Sequence, residues 1–235
     1  MVIDPARVLP REVLDARFPE ALGGMVAGST TRWDDVPSSD LDLFVLLAGR
    51  PAPMRSTERV GGRLVEFFVH TEESFAGFVD RERQLRRSPL LHMCATGLII
   101  RDDDGRLARL QDSARARWAA GPAPLTAGEL EDRRYPLTAL LDDLAEEAHP
   151  VDRAAPAAAV FTDTGDLALA ARGRWTGTGR WLTRRLREAD PDLADDLAAG
   201  LPAAVEGDAT TLLSCGRAEL DRLGGPLDSG YERHA

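Results

Sequence analysis

The sequence predicts an α+β protein, with a mixed α/β domain at the N-terminus and a helical bundle at the C-terminus. Short apolar runs alternate with helical patterns up to residue 121, whereas the pattern after residue 122 is helical throughout. The segment Gly121-Pro122-Ala123-Pro124 lies between the two regions. Because glycine and proline interrupt regular elements, we predict a boundary there, between domains 1–121 and 122–235.

The elements of the first domain follow from the spacing of apolar residues. A stretch with apolar side chains on one helical face predicts a helix, and a short apolar run bounded by turn residues predicts a strand. In chain order we predict a helix over 5–22, strands over 22–27, 41–47 and 61–70, a helix over 72–86, a strand over 98–100 and a helix over 106–119.

The second domain reads as a series of helices separated by helix-breaking residues. Glycine and proline recur between amphipathic stretches, and an up-and-down bundle is the simplest arrangement of such helices. We predict helices over 126–148, 154–171, 178–189, 191–205 and 208–224.

Composition restricts the possible functions. The net charge is −10, which argues against a general nucleic-acid binder and suits a cationic small-molecule partner. All 29 basic residues are arginines, and the lack of lysine excludes Schiff-base chemistry and a Walker-type phosphate loop. Any side chain that neutralises a triphosphate must therefore be an arginine.

The sequence also suggests a location. No run of about 18 apolar residues is long enough for a membrane helix, and the N-terminus lacks a signal-peptide pattern. The two cysteines are too few for a disulfide framework. We therefore expect a cytoplasmic protein without a membrane partner, either a monomer or a homodimer.

The most informative stretch runs from Gly28 to Asp42. Gly28 and Ser29 follow a predicted strand, where a glycine turn and a hydroxyl can hold phosphate oxygens. Asp40 and Asp42 flank Leu41 at the start of the next strand. Because side chains alternate between the faces of a strand, both carboxylates point the same way and form a candidate cation site.

A third carboxylate follows in the predicted strand over 61–70, where Glu66 is the only acidic residue among apolar ones. A carboxylate in such a strand is costly to bury unless a cation compensates its charge. We therefore predict that Asp40, Asp42 and Glu66 are catalytic residues that bind metal. Mg²⁺ is the expected ion, with two ions at the site and ATP or another nucleoside triphosphate as co-substrate.

These motifs resemble the DNA polymerase beta-like nucleotidyltransferase superfamily, in particular its small bacterial branch, which includes aminoglycoside nucleotidyltransferases. The shared pattern is Gly-Ser, two further residues, a position that is often Arg and is Arg32 here, and then Ser-Asp-x-Asp from Ser39 to Asp42. Trp33 replaces the glycine usual in that branch, and Thr31 replaces a frequent alanine. The resemblance implies that Arg32 and Ser39 join Gly28 and Ser29 in binding the nucleotide.

A second, less specific match lies in the C-terminal half. Arg174-Trp175-Thr176-Gly177-Thr178-Gly179-Arg180-Trp181-Leu182 resembles a Trp-Thr-Gly-x-Gly-Lys-Trp-Leu segment of related bacterial proteins, with Arg180 in place of lysine. Arg180, together with Arg174 and Arg184, is a candidate for binding phosphate. The alternative is that these arginines are solvated around two core tryptophans.

An acidic run on the predicted helix over 126–148 suggests an acceptor site. Asp142 and Asp143 each have a glutamate four residues later on the same face, and a cationic acceptor would relieve the repulsion between these charges. A solvated helix face would explain the same run.

Together these features predict transfer of a nucleoside monophosphate, AMP from ATP, to a hydroxyl of a small molecule. The resemblance points to an aminoglycoside or lincosamide antibiotic as the acceptor, and hence to antibiotic resistance. Glu66 is the first choice for the general base, although another carboxylate could serve. Two alternatives remain open: nucleotidylation of a protein or tRNA in a toxin–antitoxin or stress system, and a non-catalytic descendant that only binds its ligand.

Overall fold

The computed structural model describes residues 9–28 and 40–233. The chain divides into two compact units, Met1–Gly121 and Pro122–Ala235. Each unit has its own buried apolar cluster. No helix within the described ranges is long and apolar enough to cross a lipid bilayer.

The first unit is built on a five-stranded mixed sheet. One neighbouring pair, formed by the second and fourth strands in chain order, is parallel, and the other three pairs are antiparallel. The strands are β1 (Gly23–Ala27), β2 (Leu41–Leu46), β3 (Met54–Val60), β4 (Arg63–His70) and β5 (Leu98–Asp102), in the spatial order β3-β4-β2-β1-β5. The helices of this unit are α1 (Pro10–Arg17), α2 (Glu72–Gln84), α3 (Pro89–Thr96) and α4 (Arg106–Ala120).

The two faces of the sheet carry different side chains because residues alternate along each strand. On one face, the odd-numbered residues of β2 and β4 form the core with α1, where Phe18 meets Phe67 edge to face at 5.3 Å. On the other face, Phe44 and His70 stack at 5.9 Å, and Phe75 of α2 packs against Phe44. The same face carries Asp42 and Glu66 nearer the amino ends of β2 and β4.

The second unit is helical. It comprises α5 (Ala127–Glu146), α6 (Pro150–Ala171), α7 (Arg180–Ala189), α8 (Pro191–Glu206) and α9 (Thr210–Arg222). Their apolar faces form one buried cluster of mostly leucine and alanine side chains. A charged network lies beside it: Glu219, only 2% exposed, accepts hydrogen bonds from Arg172 at 2.8 and 2.9 Å and from Arg222 at 2.6 Å.

The segment after α9 returns to α5. Arg134 donates hydrogen bonds to the carbonyls of Gly224 and Gly225 at 2.8 to 3.0 Å. Further on, Tyr231 stacks on Tyr135 with ring centroids 4.5 Å apart. These contacts attach the C-terminal segment to the first helix of its own unit.

The predicted fold class is confirmed, since a mixed α/β region precedes the C-terminal helices. Three details of the prediction were wrong. The opening helix ends at Arg17 instead of reaching residue 22, because Phe18 leaves the helical conformation, which is disfavoured for a residue that precedes a proline. The edge strand β3 and the short helix α3 were not predicted.

Candidate acidic site on the central strands

Asp42 and Glu66 lie next to each other on the sheet. They are register partners in the parallel pair formed by β2 and β4, so their side chains project from the same face. Both side chains are partly buried, and that of Glu66 is 21% exposed. Two carboxylates in such a position make this part of the sheet face strongly acidic.

Gly28 lies beside Asp42 at the end of β1. Ala27 pairs with Asp42 in the antiparallel ladder, and Gly28 follows with a positive φ of 76°. A β-carbon at position 28 would overlap Oδ2 of Asp42. The backbone therefore approaches the carboxylate more closely than any other residue would permit. A role for Gly28 in binding phosphate stays a prediction.

Asp40 is less closely associated with the pair. It lies one residue before β2 and is exposed. In the part of the chain that the structure describes, no three His, Cys, Asp or Glu side chains are grouped so that they could hold a metal ion. The structure thus brings Asp42 and Glu66 to neighbouring positions without gathering all three carboxylates. The predicted nucleotide-binding residues Ser29, Arg32 and Ser39 lie outside the described residues.

Glu66 has a partner that the sequence analysis missed. Nη2 of Arg55, on edge strand β3, lies 2.8 Å from Oε2 of Glu66. The guanidinium also lies 4.9 Å from the ring centroid of Phe68. Nothing in the sequence of β3 pointed to Arg55, because five polar residues in a row, 55–59, give no alternating strand pattern.

The residues present fit a magnesium ion. Asp42 and Glu66 supply carboxylate oxygens, which Mg²⁺ takes as ligands, and one or two carboxylates suffice when substrate phosphates complete its coordination. The Asp42 carboxylate lies where a β-carbon of residue 28 would be, so Gly28 permits this position of the proposed ligand.

His70 lies at the carboxyl end of β4 and is not part of this acidic pair. It is stacked on Phe44, contacts Phe78 and is hydrogen-bonded through Nδ1 to Oγ of Ser74 at 3.1 Å. Burial lowers the pKa of His70 to about 4. The imidazole is therefore neutral at pH 7 and serves the packing between the sheet and α2.

The predicted phosphate-binding arginines lie in the second unit. Arg180 is the first residue of α7 and is exposed, as are Arg174 and Arg184. The guanidinium of Arg184 lies 5.0 Å from the ring centroid of Trp181, a cation–π contact that would hold it in place without a ligand. A role for Arg180 in binding phosphate stays a prediction.

The acidic residues predicted to bind the acceptor are both exposed on α5. Asp143 lines an open groove of about 550 Å³ between α5 and α6, together with Glu146, Glu147 and Asp152. Asp142 is not among the residues that line this groove. Their proposed role also stays a prediction.

Comparisons with known proteins give matches to solved structures. Neither a protein-family model nor a curated protein sequence matches the chain. A solved structure of a nucleotidyltransferase-like protein from Exiguobacterium sibiricum 255-15 is similar over 91% of this chain and 77% of that one, with 15% identity and a TM-score of 0.42. At this identity and TM-score, the likeness assigns neither a family nor an activity to the chain.

Proposed function

We propose that this protein is a metal-dependent nucleotidyltransferase that moves a nucleoside monophosphate, AMP from ATP, onto a hydroxyl of a small molecule. The observation that carries the proposal is the acidic pair on the sheet. Asp42 and Glu66 occupy opposed positions on parallel strands, and the Gly28 backbone passes beside the Asp42 carboxylate. The Gly-Ser and Ser-Asp-x-Asp motifs add the expected phosphate-binding turn and the third carboxylate.

Each residue has a distinct task in this proposal. Asp40 and Asp42 hold the ion that accompanies the triphosphate, and Glu66 supplies an oxygen on the acceptor side. Mg²⁺, when bound, neutralises charge that develops on the transferring phosphoryl group. Gly28, Ser29, Arg32 and Ser39 position the phosphates, and Glu66 is the first candidate to accept the proton of the attacking hydroxyl.

The Arg55–Glu66 ion pair must open before Glu66 can bind a cation. The Arg55 side chain is 65% exposed, so water solvates its guanidinium whether or not the pair is formed. Because the guanidinium stays in water, the pair is weaker than a buried one, and Arg55 can move into solvent when a divalent ion binds. In the absence of metal, the Arg55 guanidinium would compensate the charge of Glu66 in place of the ion.

For the acceptor we propose a cationic, hydroxyl-bearing compound such as an aminoglycoside, with a lincosamide as the next choice. The net charge of −10 favours the approach of a cation. Asp142 and Asp143 are the proposed acceptor contacts, and the groove beside Asp143 adds three further carboxylates. Antibiotic modification would follow from such a substrate.

A second candidate function is nucleotide binding without turnover. The Arg55–Glu66 contact favours it, since a permanent pair at 2.8 Å would compensate Glu66 without metal. Nucleotide binding without turnover is also favoured because, among the described residues, Asp40 does not form a three-carboxylate group with Asp42 and Glu66. This candidate predicts tight triphosphate binding and no release of pyrophosphate.

The decisive experiment is a transfer assay read by mass spectrometry. The protein is incubated with Mg²⁺, each of the four ribonucleoside triphosphates and a pool of aminoglycosides and lincosamides. We expect one acceptor to gain the mass of one nucleotide with the unmodified protein and Asp112→Asn, but not with Asp42→Asn. Asp112 is an exposed carboxylate of α4 and serves as the matched control.

The other outcomes separate the candidates. Pyrophosphate release without modification of the pool keeps nucleotidyl transfer and rejects these antibiotics as acceptors. Binding of a triphosphate without any pyrophosphate release supports the second candidate. Equal activity of Asp42→Asn and the unmodified protein would refute the acidic pair as the catalytic site.

A further inference from the structure

A second cavity lies in the first unit, at the opposite ends of the strands that carry the acidic pair. It has a volume of about 850 Å³ and begins at Leu47, directly after β2, and at Thr71, directly after β4. Asp42 and Leu47 are five positions apart along the chain, a distance of about 16 Å at the usual rise per residue of a strand. The cavity is therefore separate from the candidate catalytic site.

Three arginines from three separate segments line this cavity. Arg50 comes from the turn between β2 and β3, Arg81 from α2 and Arg106 from the start of α4. The acidic net charge of the chain makes such a convergence unexpected. Guanidinium groups from several elements around one cavity are suited to a phosphate, since each donates paired hydrogen bonds.

The arginines differ in how firmly they are held. The guanidinium of Arg81 lies 4.5 Å from the ring centroid of Phe78, which restrains the side chain while leaving its N–H groups able to donate. Arg106 forms an ion pair with Asp104 at 2.9 Å. Arg50 is exposed on its turn. Arg81 and Arg50 are thus the better candidates for direct contact with an anion.

The remaining lining suggests the rest of the ligand. Glu72 and Glu73, in the first turn of α2, place exposed carboxylates on the rim. These carboxylates would repel a bare phosphate but accept hydrogen bonds from hydroxyl groups. Phe78, which is 39% exposed, adds apolar surface. The volume falls within the range of about 300–1,000 Å³ that is common for small-molecule sites.

We propose that this cavity binds a phosphorylated sugar, either free or as part of a nucleotide. Arg50 and Arg81 hold the phosphate, and Glu72 and Glu73 accept hydrogen bonds from sugar hydroxyls. The site requires no divalent metal, because the arginines supply the positive charge. Binding at this site would not depend on Asp42 and Glu66, which lie nearer the amino ends of β2 and β4.

The test is calorimetric titration of the full chain in EDTA with ribose 5-phosphate, AMP, adenosine and inorganic phosphate. We expect ribose 5-phosphate and AMP to bind at one site per chain, and adenosine to fail. Binding of AMP alone would still support the site and assign it to nucleotides. Inorganic phosphate that binds as tightly as ribose 5-phosphate would overturn the proposed role of the sugar.

Variants locate the site. The double variant Arg50→Gln/Arg81→Gln should weaken binding at least about tenfold, as expected when charge-assisted hydrogen bonds to phosphate are lost. Arg87→Gln, at an exposed arginine that does not line the cavity, should bind like the unmodified protein. Asp42→Asn should also bind normally, so that failure of the proposed transferase activity leaves this result unaffected.

Two results would refute the proposal. One is unchanged binding in the double variant, and the other is loss of binding in Asp42→Asn. Thermal unfolding of each variant checks its fold. If Arg81→Gln unfolds early because its contact with Phe78 is lost, Arg50→Gln alone must still weaken binding.

Discussion

The identity of Gly28 is constrained both by its backbone conformation and by a neighbouring side chain. Its φ of 76° is unfavourable for other residues, and a β-carbon there would overlap the Asp42 carboxylate. Neither constraint depends on a ligand. The same glycine therefore permits both the backbone turn and the position of the Asp42 carboxylate.

Replacing Gly28 with alanine should reduce both stability and metal binding. We expect a loss of about 1–2 kcal/mol in the free energy of unfolding from the positive φ. Displacement of Asp42 should weaken Mn²⁺ binding, measured by titration with paramagnetic resonance detection. Gly49→Ala is the matched control, since a β-carbon at Gly49 meets nothing within 4 Å. Equal Mn²⁺ affinity in the two variants would contradict the proposed position of Asp42 at the metal.

His70 makes a prediction about acid stability. Its pKa is lowered to about 4 by burial, so the unfolded chain binds a proton at a higher pH than the folded one. The stability contributed by neutral His70 is therefore complete above pH 6.5 and is lost as the pH falls from about 6.5 to about 4. The linked change over this whole interval is on the order of 3 kcal/mol.

Chemical denaturation between pH 7.5 and 4.5 measures this effect. We expect the unmodified protein to lose more stability across the range than His70→Gln, which cannot titrate there. His92→Gln controls for the removal of another histidine from the same unit. Parallel pH profiles for the unmodified protein and His70→Gln would show that His70 is not the titrating group.

Among the elements, helix α3 depends on a side chain from α2. Glu82 accepts a hydrogen bond from Oγ of Ser88 at 2.6 Å and from the backbone N–H groups of Leu90 and Leu91 at 3.3 and 3.4 Å. Burial raises the pKa of this carboxyl despite these hydrogen bonds. Glu82 thus provides the N-terminal cap that α3 lacks from its own residues.

Glu82→Ala should lower the free energy of unfolding by about 1–3 kcal/mol, because buried N–H groups lose their acceptor. Glu82→Gln keeps one acceptor oxygen and should cost less. Asp112→Ala removes an exposed carboxylate and should change stability by no more than about 0.5 kcal/mol. Urea denaturation measures all three, and equal values for the alanine and glutamine variants would contradict the capping role.

The sequence was sufficient for elements with strong local signals. The helices of the second unit end near glycine or proline, and β2 and β4 are apolar runs with one interrupting acidic residue, so their existence followed from pattern. β3 and α3 lack such signals. β3 is a polar edge strand whose pairing with β4 decides its conformation, and α3 is an eight-residue helix capped by the distant Glu82.

The candidate acidic site could be predicted only where its residues follow a pattern within one strand. Alternation on one strand predicts that Asp40 and Asp42 face the same way, but only the parallel register of β2 and β4 puts Glu66 beside Asp42. The approach of Arg55 from an unpredicted strand could not be inferred from spacing. The predicted roles of Asp40, Asp42 and Glu66 remain predictions until metal binding is measured.

For the whole molecule, two buried clusters imply two separable sources of stability. Phe67 belongs to the core of the first unit, and Glu219 to the charged network of the second. Phe67→Ala should cost about 3–5 kcal/mol through the cavity it leaves. Glu219→Ala should cost about 1–3 kcal/mol because Arg172 loses two charge-assisted hydrogen bonds while it keeps its ion pair with Asp190.

We expect these two variants to destabilise different regions of the chain. Hydrogen exchange followed by mass spectrometry should show Phe67→Ala accelerating exchange in β2 and β4, and Glu219→Ala in α6 and α9. Glu206→Ala, at an exposed carboxylate of α8, is the control and should leave both patterns unchanged. Uniform acceleration across 1–235 in either variant would show that the chain unfolds as one cooperative unit.

The stack between Tyr135 and Tyr231 has an optical consequence. These are the only two tyrosines of the chain, and their rings lie 4.5 Å apart and 10° from parallel. All near-ultraviolet dichroism from tyrosine therefore originates in one pair, which exists only while the C-terminal segment lies against α5. The protein carries a built-in spectroscopic reporter of that attachment, and no dye or isotope is needed to follow it.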